Sequence, residues 1–161
     1  MAAEQAIAAS GFASRAVILR LAGIYGPGRI PRVEALKRYE PIDAPAEGFL
    51  NLIHVDDAAR IVLEVERAMT TRSLKLPYLY NVADGNPGVR REYYTELARL
   101  VGAPKPVFVD PAVGSPAAAR AAADKRISNR RLCEEIGPTF LYPSYREGLA
   151  AIVAAERASN K

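Results

Sequence analysis

Two rhythms of apolar residues alternate along the chain: short unbroken runs, and longer stretches with a helical period. Residues 15–22, RAVILRLA, carry Val17, Ile18 and Leu19 in a row, which fits a strand covered on both faces, as in a parallel sheet. The strand runs straight into Gly23-Ile24-Tyr25-Gly26-Pro27-Gly28-Arg29, whose glycines and proline end it in a tight, exposed loop. NLIHVDDAARIVLEVERAM repeats the theme. A short strand over 51–54 is followed by Asp56 as an N-cap, and Ala58, Ile61, Val62, Val65 and Met69 form the apolar stripe of a helix. Residues 76–82 read as a second buried strand, closed by the turn formers Asp84-Gly85-Asn86-Pro87-Gly88.

The helical rhythm occupies the rest. The Ala-rich start is free of breakers up to Gly11 and predicts a helix. Tyr93, Leu97, Leu100 and Val101 share one face of another, which Gly102 ends. Residues 103–123 mix prolines with alanines and predict a surface excursion with a short helix from Pro116. Ser128 is placed to cap a helix with Leu132, Cys133 and Ile136 that stops at Gly137. Ser144-Tyr145-Arg146-Glu147 matches the capping box ahead of Leu149, Ile152 and Val153. No internal repeat is visible, so the chain reads as one compact unit or part of one. Strands alternating with helices predict an α/β fold with a parallel sheet. Two buried strands cannot by themselves make a doubly covered sheet with protected edges, so the chain is expected to pair with another copy or with a missing partner segment.

Composition narrows the function more than the fold. With 161 residues, 50% of them hydrophobic and 25% charged, the chain can bury an ordinary core. No apolar run approaches the roughly 18 residues a membrane helix needs, and the N-terminus lacks the pattern of a secretion signal, so a soluble cytoplasmic protein with no membrane partner is expected. A single cysteine, Cys133, and a single histidine, His54, are too few for a zinc site, and no metal is expected. The net charge of +4 is spread among carboxylates without a dense basic stripe, which argues against a nucleic-acid partner. The glycine cluster is not a dinucleotide phosphate loop either. That fingerprint opens into a helix, whereas Gly26-Pro27-Gly28 is followed by Arg29-Ile30-Pro31. It reads as a strand-end loop at the mouth of a site.

The run from Arg20 through Tyr25-Gly26-Pro27, then Ile53-His54-Val55-Asp56-Asp57, then Tyr80-Asn81-Val82 and the closing YPSYREGLAAI resembles, in order and spacing, the extended and atypical short-chain dehydrogenase/reductases, the NAD-dependent epimerase/dehydratase family. The resemblance takes in the whole chain but only the C-terminal half of the family's domain. It implies that residues 1–161 are the C-terminal part of a Rossmann-like parallel sheet, its last strands, with a small substrate-binding subdomain. The family's glycine-rich phosphate loop and its Tyr-x-x-x-Lys pair are absent: no tyrosine here has lysine four residues on. Tyr25 and Tyr142 are followed at that spacing by Arg29 and Arg146, in loop contexts rather than on a helix. The opening MAAEQAIAAS resembles the end of the helix that bears the pair in the family.

By the same resemblance, Leu21, Ala22, Gly23 and Ile24 lie beside the nicotinamide ring, with Gly23 standing where many relatives carry asparagine. Tyr25 and Arg29 are the expected substrate contacts, Arg29 through paired hydrogen bonds to an acidic group. No catalytic residue is expected in this chain. His54 is expected to serve a structural hydrogen bond, Asp56 and Asp57 to stabilise a helix start, and Lys125 and Arg126 to form a solvated cationic edge. A full-length parent would use NAD or NADP on a small polar or sugar-like substrate. The chain alone is expected neither to bind dinucleotide tightly nor to turn over, which leaves its standing as an enzyme open. The alternative is a non-catalytic binding or scaffold module that pairs with another chain, as a homodimer or with an N-terminal half.

Overall fold

The computed structural model describes residues 2–71, 78–122 and 124–159. The chain opens with helix α1 (Ala2–Ala8), then strands β1 (Val17–Leu21) and β2 (Gly23–Tyr25), short helix α2 (Val33–Lys37) and strands β3 (Ile42–Asp43), β4 (Phe49–Leu50) and β5 (Leu52–His54). Helix α3 (Val55–Thr71) leads to β6 (Tyr78–Val82) and β7 (Gly88–Val89), then α4 (Arg90–Val101), β8 (Phe108–Val109), α5 (Pro116–Ala122), α6 (Arg130–Glu135) and α7 (Tyr145–Ser159). Of the predicted strand 76–82, its first two residues fall outside the described residues.

β1 lies parallel to β6, with Val17 beside Tyr78 and Leu21 beside Val82. The chain then changes partner. Ala22 still donates its N–H to Val82 O (2.9 Å), but Gly23 donates to Asn51 O (2.9 Å), and β2 continues parallel to β5. Asp84 N–H in turn donates to Leu52 O (2.9 Å), so β5 links the two parallel pairs. β3 with β8 (parallel) and β4 with β7 (antiparallel) are two-residue pairings that no hydrophobic period signals. Among the described residues β1 has no strand on its second edge.

All three residues of β5 are buried, and its alternation divides the core. Leu52 joins Tyr25, Leu36, Ile42, the Tyr93 and Leu97 face of α4, and Leu149, Ile152 and Val153 of α7. Ile53 points the other way, to Ala58, Ile61 and Val65 of α3, Tyr80 and Val82 of β6, and Leu132 and Ile136. Several expectations need correction. Val62 is 47% exposed, and the buried face of α3 is Ala58, Ile61, Val65 and Ala68, spaced three and four residues apart, with Val62 one position round the helix from it. α3 begins at Val55, so Asp56 lies within its first turn and is not its N-cap. Asn129, not Ser128, precedes α6, although Ser128 Oγ still accepts the N–H of Arg130 at 3.3 Å. The Ser144–Glu147 pair predicted at the start of α7 meets through side chains: Ser144 Oγ accepts the N–H of Arg146 at 3.2 Å and donates to Glu147 Oε2 at 2.6 Å. Gly102 and Gly137 end their helices at φ +72° each.

Candidate functional site

The C-terminal ends of β1 and β6 meet the starts of β2 and β5, where Ala22 bonds Val82, Gly23 bonds Asn51 and Asp84 bonds Leu52; the carboxyl ends of parallel strands are where open α/β sheets place their ligands. Leu21, the last residue of β1, is 45% exposed. Gly23 is exposed, and Ala22 and Ile24 are half-buried. A side chain at Gly23 would crowd Asn51 O (3.1 Å) and Leu52 Cδ2 (3.2 Å), so the close approach of β2 and β5 requires the glycine. Leu21 and Gly23 are thus accessible at this strand junction, whereas Ala22 and Ile24 pack against the core that holds Ile53, Ile61 and Val82. None of these residues lines the hollow of about 450 Å³ beside α2.

Beside this junction lies a strap that the sequence did not reveal. Asn51 Nδ2 donates to Lys125 O (2.8 Å), and Asn51 Oδ1 accepts the N–H of Ile127 (2.6 Å). Asp124 Oδ1 accepts the N–H of Phe49 (2.7 Å), and the Arg126 guanidinium sits 4.9 Å from the centre of the Phe49 ring. Asn81 Nδ2 reaches Ser128 O (3.3 Å) and Asn129 Nδ2 reaches Ala83 O (2.8 Å). Three asparagines therefore fasten residues 125–129 across the strand ends. Each uses a side-chain amide to mimic a strand's backbone, which leaves no hydrophobic period to detect. Lys125 and Arg126 ride on this strap as exposed cations.

Below the junction the polar groups turn inward. Tyr25 is 1% exposed; its ring meets His54 edge-on at 5.2 Å and its hydroxyl donates to Ser144 O at 3.3 Å. Burial pushes its phenol well above the usual range, with Asp84 and Asp57 adding to the effect. That is the wrong direction for proton transfer near neutral pH, and the hydroxyl is sealed against Gly148. Tyr25, named from the sequence as a substrate contact, is therefore packed into the core in this structure. His54, 1% exposed, accepts the N–H of Asp56 at Nδ1 (3.2 Å), so its proton resides on Nε2. Burial lowers its pKa, which keeps the ring neutral, and the expected structural role follows. Asp57, 1% exposed, accepts the N–H groups of Leu141 (2.7 Å) and Tyr142 (2.9 Å), fastening the start of α3 to the loop before α7. Asp84 is 6% exposed, and burial raises its carboxyl to about 7 although Oδ1 accepts the N–H of Asn86 at 2.9 Å.

The glycine-rich loop folds onto itself: Gly26 N–H donates to Arg29 O (3.2 Å) and Arg29 N–H to Gly26 O (2.9 Å). With those two amides consumed it cannot cradle a phosphate through them, in keeping with its rejection as a phosphate loop. Arg29 is exposed and borders the hollow of about 450 Å³, between α2 and the end of α7. Arg29 lines this hollow and residues 21–24 do not. Among the described residues no three His, Cys, Asp or Glu side chains gather as a metal-binding set, and no helix is long and apolar enough to cross a membrane.

A parallel sheet end of this kind, with crossover helices and a capped C-terminal helix, defines a Rossmann-like α/β protein. The known proteins it resembles are consistent with one group. No family model matches the chain. Protein YeeZ of Escherichia coli K12 is 30% identical over 129 residues, 78% of this chain and 40% of YeeZ. A candidate NAD-dependent epimerase/dehydratase from Methylobacillus flagellatus is 31% identical, with a TM-score of 0.71 over 97% of this chain and 51% of that one. MoeE5, solved with UDP-glucose and NAD, superposes with a TM-score of 0.71 over 99% of this chain and 54% of its own, at 24% identity, which is a likeness of fold alone. The structural relatives of the chain are NAD-dependent epimerase/dehydratase proteins, and its fold is the corresponding part of theirs. It spans 40% of YeeZ and about half of either solved structure.

Proposed function

We propose that this chain forms the substrate side of an NAD(P)-dependent oxidoreductase of the epimerase/dehydratase kind, acting on a small polar or sugar-like substrate. The observation that carries the reading is the exposed Leu21 and Gly23 at the C-terminal end of β1, where the sheet passes from one parallel pair to the next. The bound dinucleotide would supply hydride chemistry. The chain's own residues would form one wall against the nicotinamide, with Leu21 excluding water from it and Gly23 letting the ring approach the backbone. The strap at Lys125 and Arg126 would border the substrate. With no amide cradle for the pyrophosphate among residues 23–29, the phosphates and the proton-transferring groups would come from elsewhere in a complete enzyme.

Among the described residues no strand pairs with the second edge of β1, which supports pairing with another chain, because an unpaired row of backbone groups is a template for a further strand. In the segment that precedes β1, Phe12 is 65% and Ile7 39% exposed. A complementary N-terminal half fits the proposed role, and a homodimer fits the scaffold alternative. The test is NADH fluorescence titration of the chain alone and mixed with the N-terminal half of the Methylobacillus relative. We expect no binding alone, binding by the mixed pair, and at least about a tenfold loss with Leu21→Arg, which removes one apolar contact and adds a bulky cation. Tight binding by the chain alone, or an unchanged affinity in the Leu21→Arg pair, would overturn the reading.

A further inference from the structure

The hollow around Arg29 is independent of the nicotinamide wall, and its lining points to a ligand of definite chemistry. It encloses about 450 Å³, within the range of small-molecule sites. Arg29, Arg32, Lys37 and Arg38 supply four cations to its wall, and Glu34 and Glu156 two carboxylates. Two of these cations are spoken for: Lys37 Nζ pairs with Glu34 at 2.9 Å and Arg38 Nε with Glu40 at 2.7 Å. The side chains of Arg29 and Arg32 have no hydrogen bond or ion pair among the described residues, and neither does Glu156.

The two free arginines are carried on constrained backbone. Arg29 closes the reciprocal turn with Gly26, in which Gly28 sits at φ +69°. Arg32 takes φ +58°, a left-handed conformation costly for a residue with a Cβ, at the entrance to α2. Two fork-shaped cations held this way suit an oxyanion that accepts several hydrogen bonds. An unpaired carboxylate in the same wall would repel a second anion and accept hydrogen bonds from hydroxyls.

We propose that this hollow is a binding site for a phosphorylated polyol, with the phosphate between Arg29 and Arg32 and hydroxyls donating to Glu156. The site does not depend on the hydride-transfer reading, and it can be tested on the chain alone. The measurement is 1H-15N NMR titration at low salt with glucose 6-phosphate, inorganic phosphate and glucose as probes. We expect saturable shifts confined to the loop before α2, α2 itself and the end of α7, with glucose 6-phosphate binding about fivefold or more tightly than inorganic phosphate and glucose not at all.

Arg29→Ala and Arg32→Gly should each weaken glucose 6-phosphate by about tenfold. Arg32→Gly also tolerates the left-handed backbone, so its loss of binding cannot be put down to misfolding. Glu156→Gln should erase the preference for the sugar phosphate, and Lys105→Ala, at an exposed cation outside the hollow, should change nothing. Four results would each refute the site: no saturable shift in the wild-type chain up to the millimolar range, equal affinity in the arginine variants, a preference that survives Glu156→Gln, or shifts centred on residues 125–127.

Discussion

Replacing Asp57 tests whether a polar contact between distant segments holds the two halves of the core together. Its two carboxylate oxygens accept the N–H groups of Leu141 and Tyr142 at 2.7 and 2.9 Å across 84 and 85 residues of sequence, and the side chain is 1% exposed. A hydrogen bond to a charged group contributes about 1.5–3 kcal/mol, more than a neutral one. Asp57→Ala removes both bonds. Leu141 is 52% exposed, so water can reach its freed amide and recover part of the loss. The net cost should therefore be about 3 kcal/mol, and for a chain of this size that lowers Tm by about 6–12 °C. Asp57→Asn keeps one acceptor and should lose about half as much. The neighbouring Asp56, with a side chain 56% exposed, is the control: Asp56→Ala should stay within about 0.5 kcal/mol. Urea unfolding gives the free energies, and hydrogen exchange at the amides of residues 141 and 142 should accelerate in the Asp57 variants alone. An Asp57→Ala protein within about 1 kcal/mol of Asp56→Ala would refute the reasoning, because the loop would then be held by its apolar contacts.

Three further outcomes follow from the geometry. In α7, Gly148→Ala should destabilise the protein despite the roughly 1 kcal/mol that helix propensity favours, since the new methyl group overlaps the Tyr25 hydroxyl; Tyr25→Phe should recover part of the loss in a double-mutant cycle. Asp84 has its carboxyl raised to about 7 by burial, so the folded state holds a proton that the unfolded state releases near 4; wild-type stability should fall as pH rises from about 4 to about 7, and Asp84→Asn should flatten that slope in pH-dependent urea melts. Asn51→Ala should cost about 1–3 kcal/mol and raise hydrogen exchange at Ile127, whose N–H loses its acceptor, and unchanged exchange there would show that the strap is held by other contacts.

The parts of this molecule legible in its sequence were those written in apolar period or in local chemistry. β1, α3, α4 and α7 each carry their signal within a dozen residues, as unbroken Val17-Ile18-Leu19, the stripe through Ile61 and Val65, the Tyr93 and Leu97 face, and the Ser144–Glu147 box. The misses share a cause. β3, β4, β7 and β8 are two residues long and exist only because a distant strand lies alongside, which no local window can register. The asparagine strap depends on side chains of residues 51, 81 and 129 meeting backbone far along the chain. Arg29 and residues 21–24 are neighbours in sequence, but the self-closing turn at Gly26 redirects the chain between them, and of these residues Arg29 alone lines the hollow beside α2.

That turn also bears on why Tyr25, named from the sequence as a substrate contact, is packed into the core. A strand that ends at a ligand site must be fixed at its last buried position, or the wall it presents wanders with the loop. Tyr25 does this by driving its ring into the core between His54 and Gly148, while Gly26 and Arg29 close the loop directly above. The bulkiest side chain of the motif anchors the strand end, and the residues left to face outward, Leu21 and Gly23, are the ones with least side-chain chemistry of their own. An apolar strand end suits a flat cofactor ring, whose orientation is set by shape and exclusion of water. The polar recognition must then come from the elements around it, and in this chain the accessible cations beside the wall sit on the strap that Asn51 fastens. Releasing the strap should accordingly disturb what lies against residues 21–24 more than any change to Tyr25 that preserves its packing.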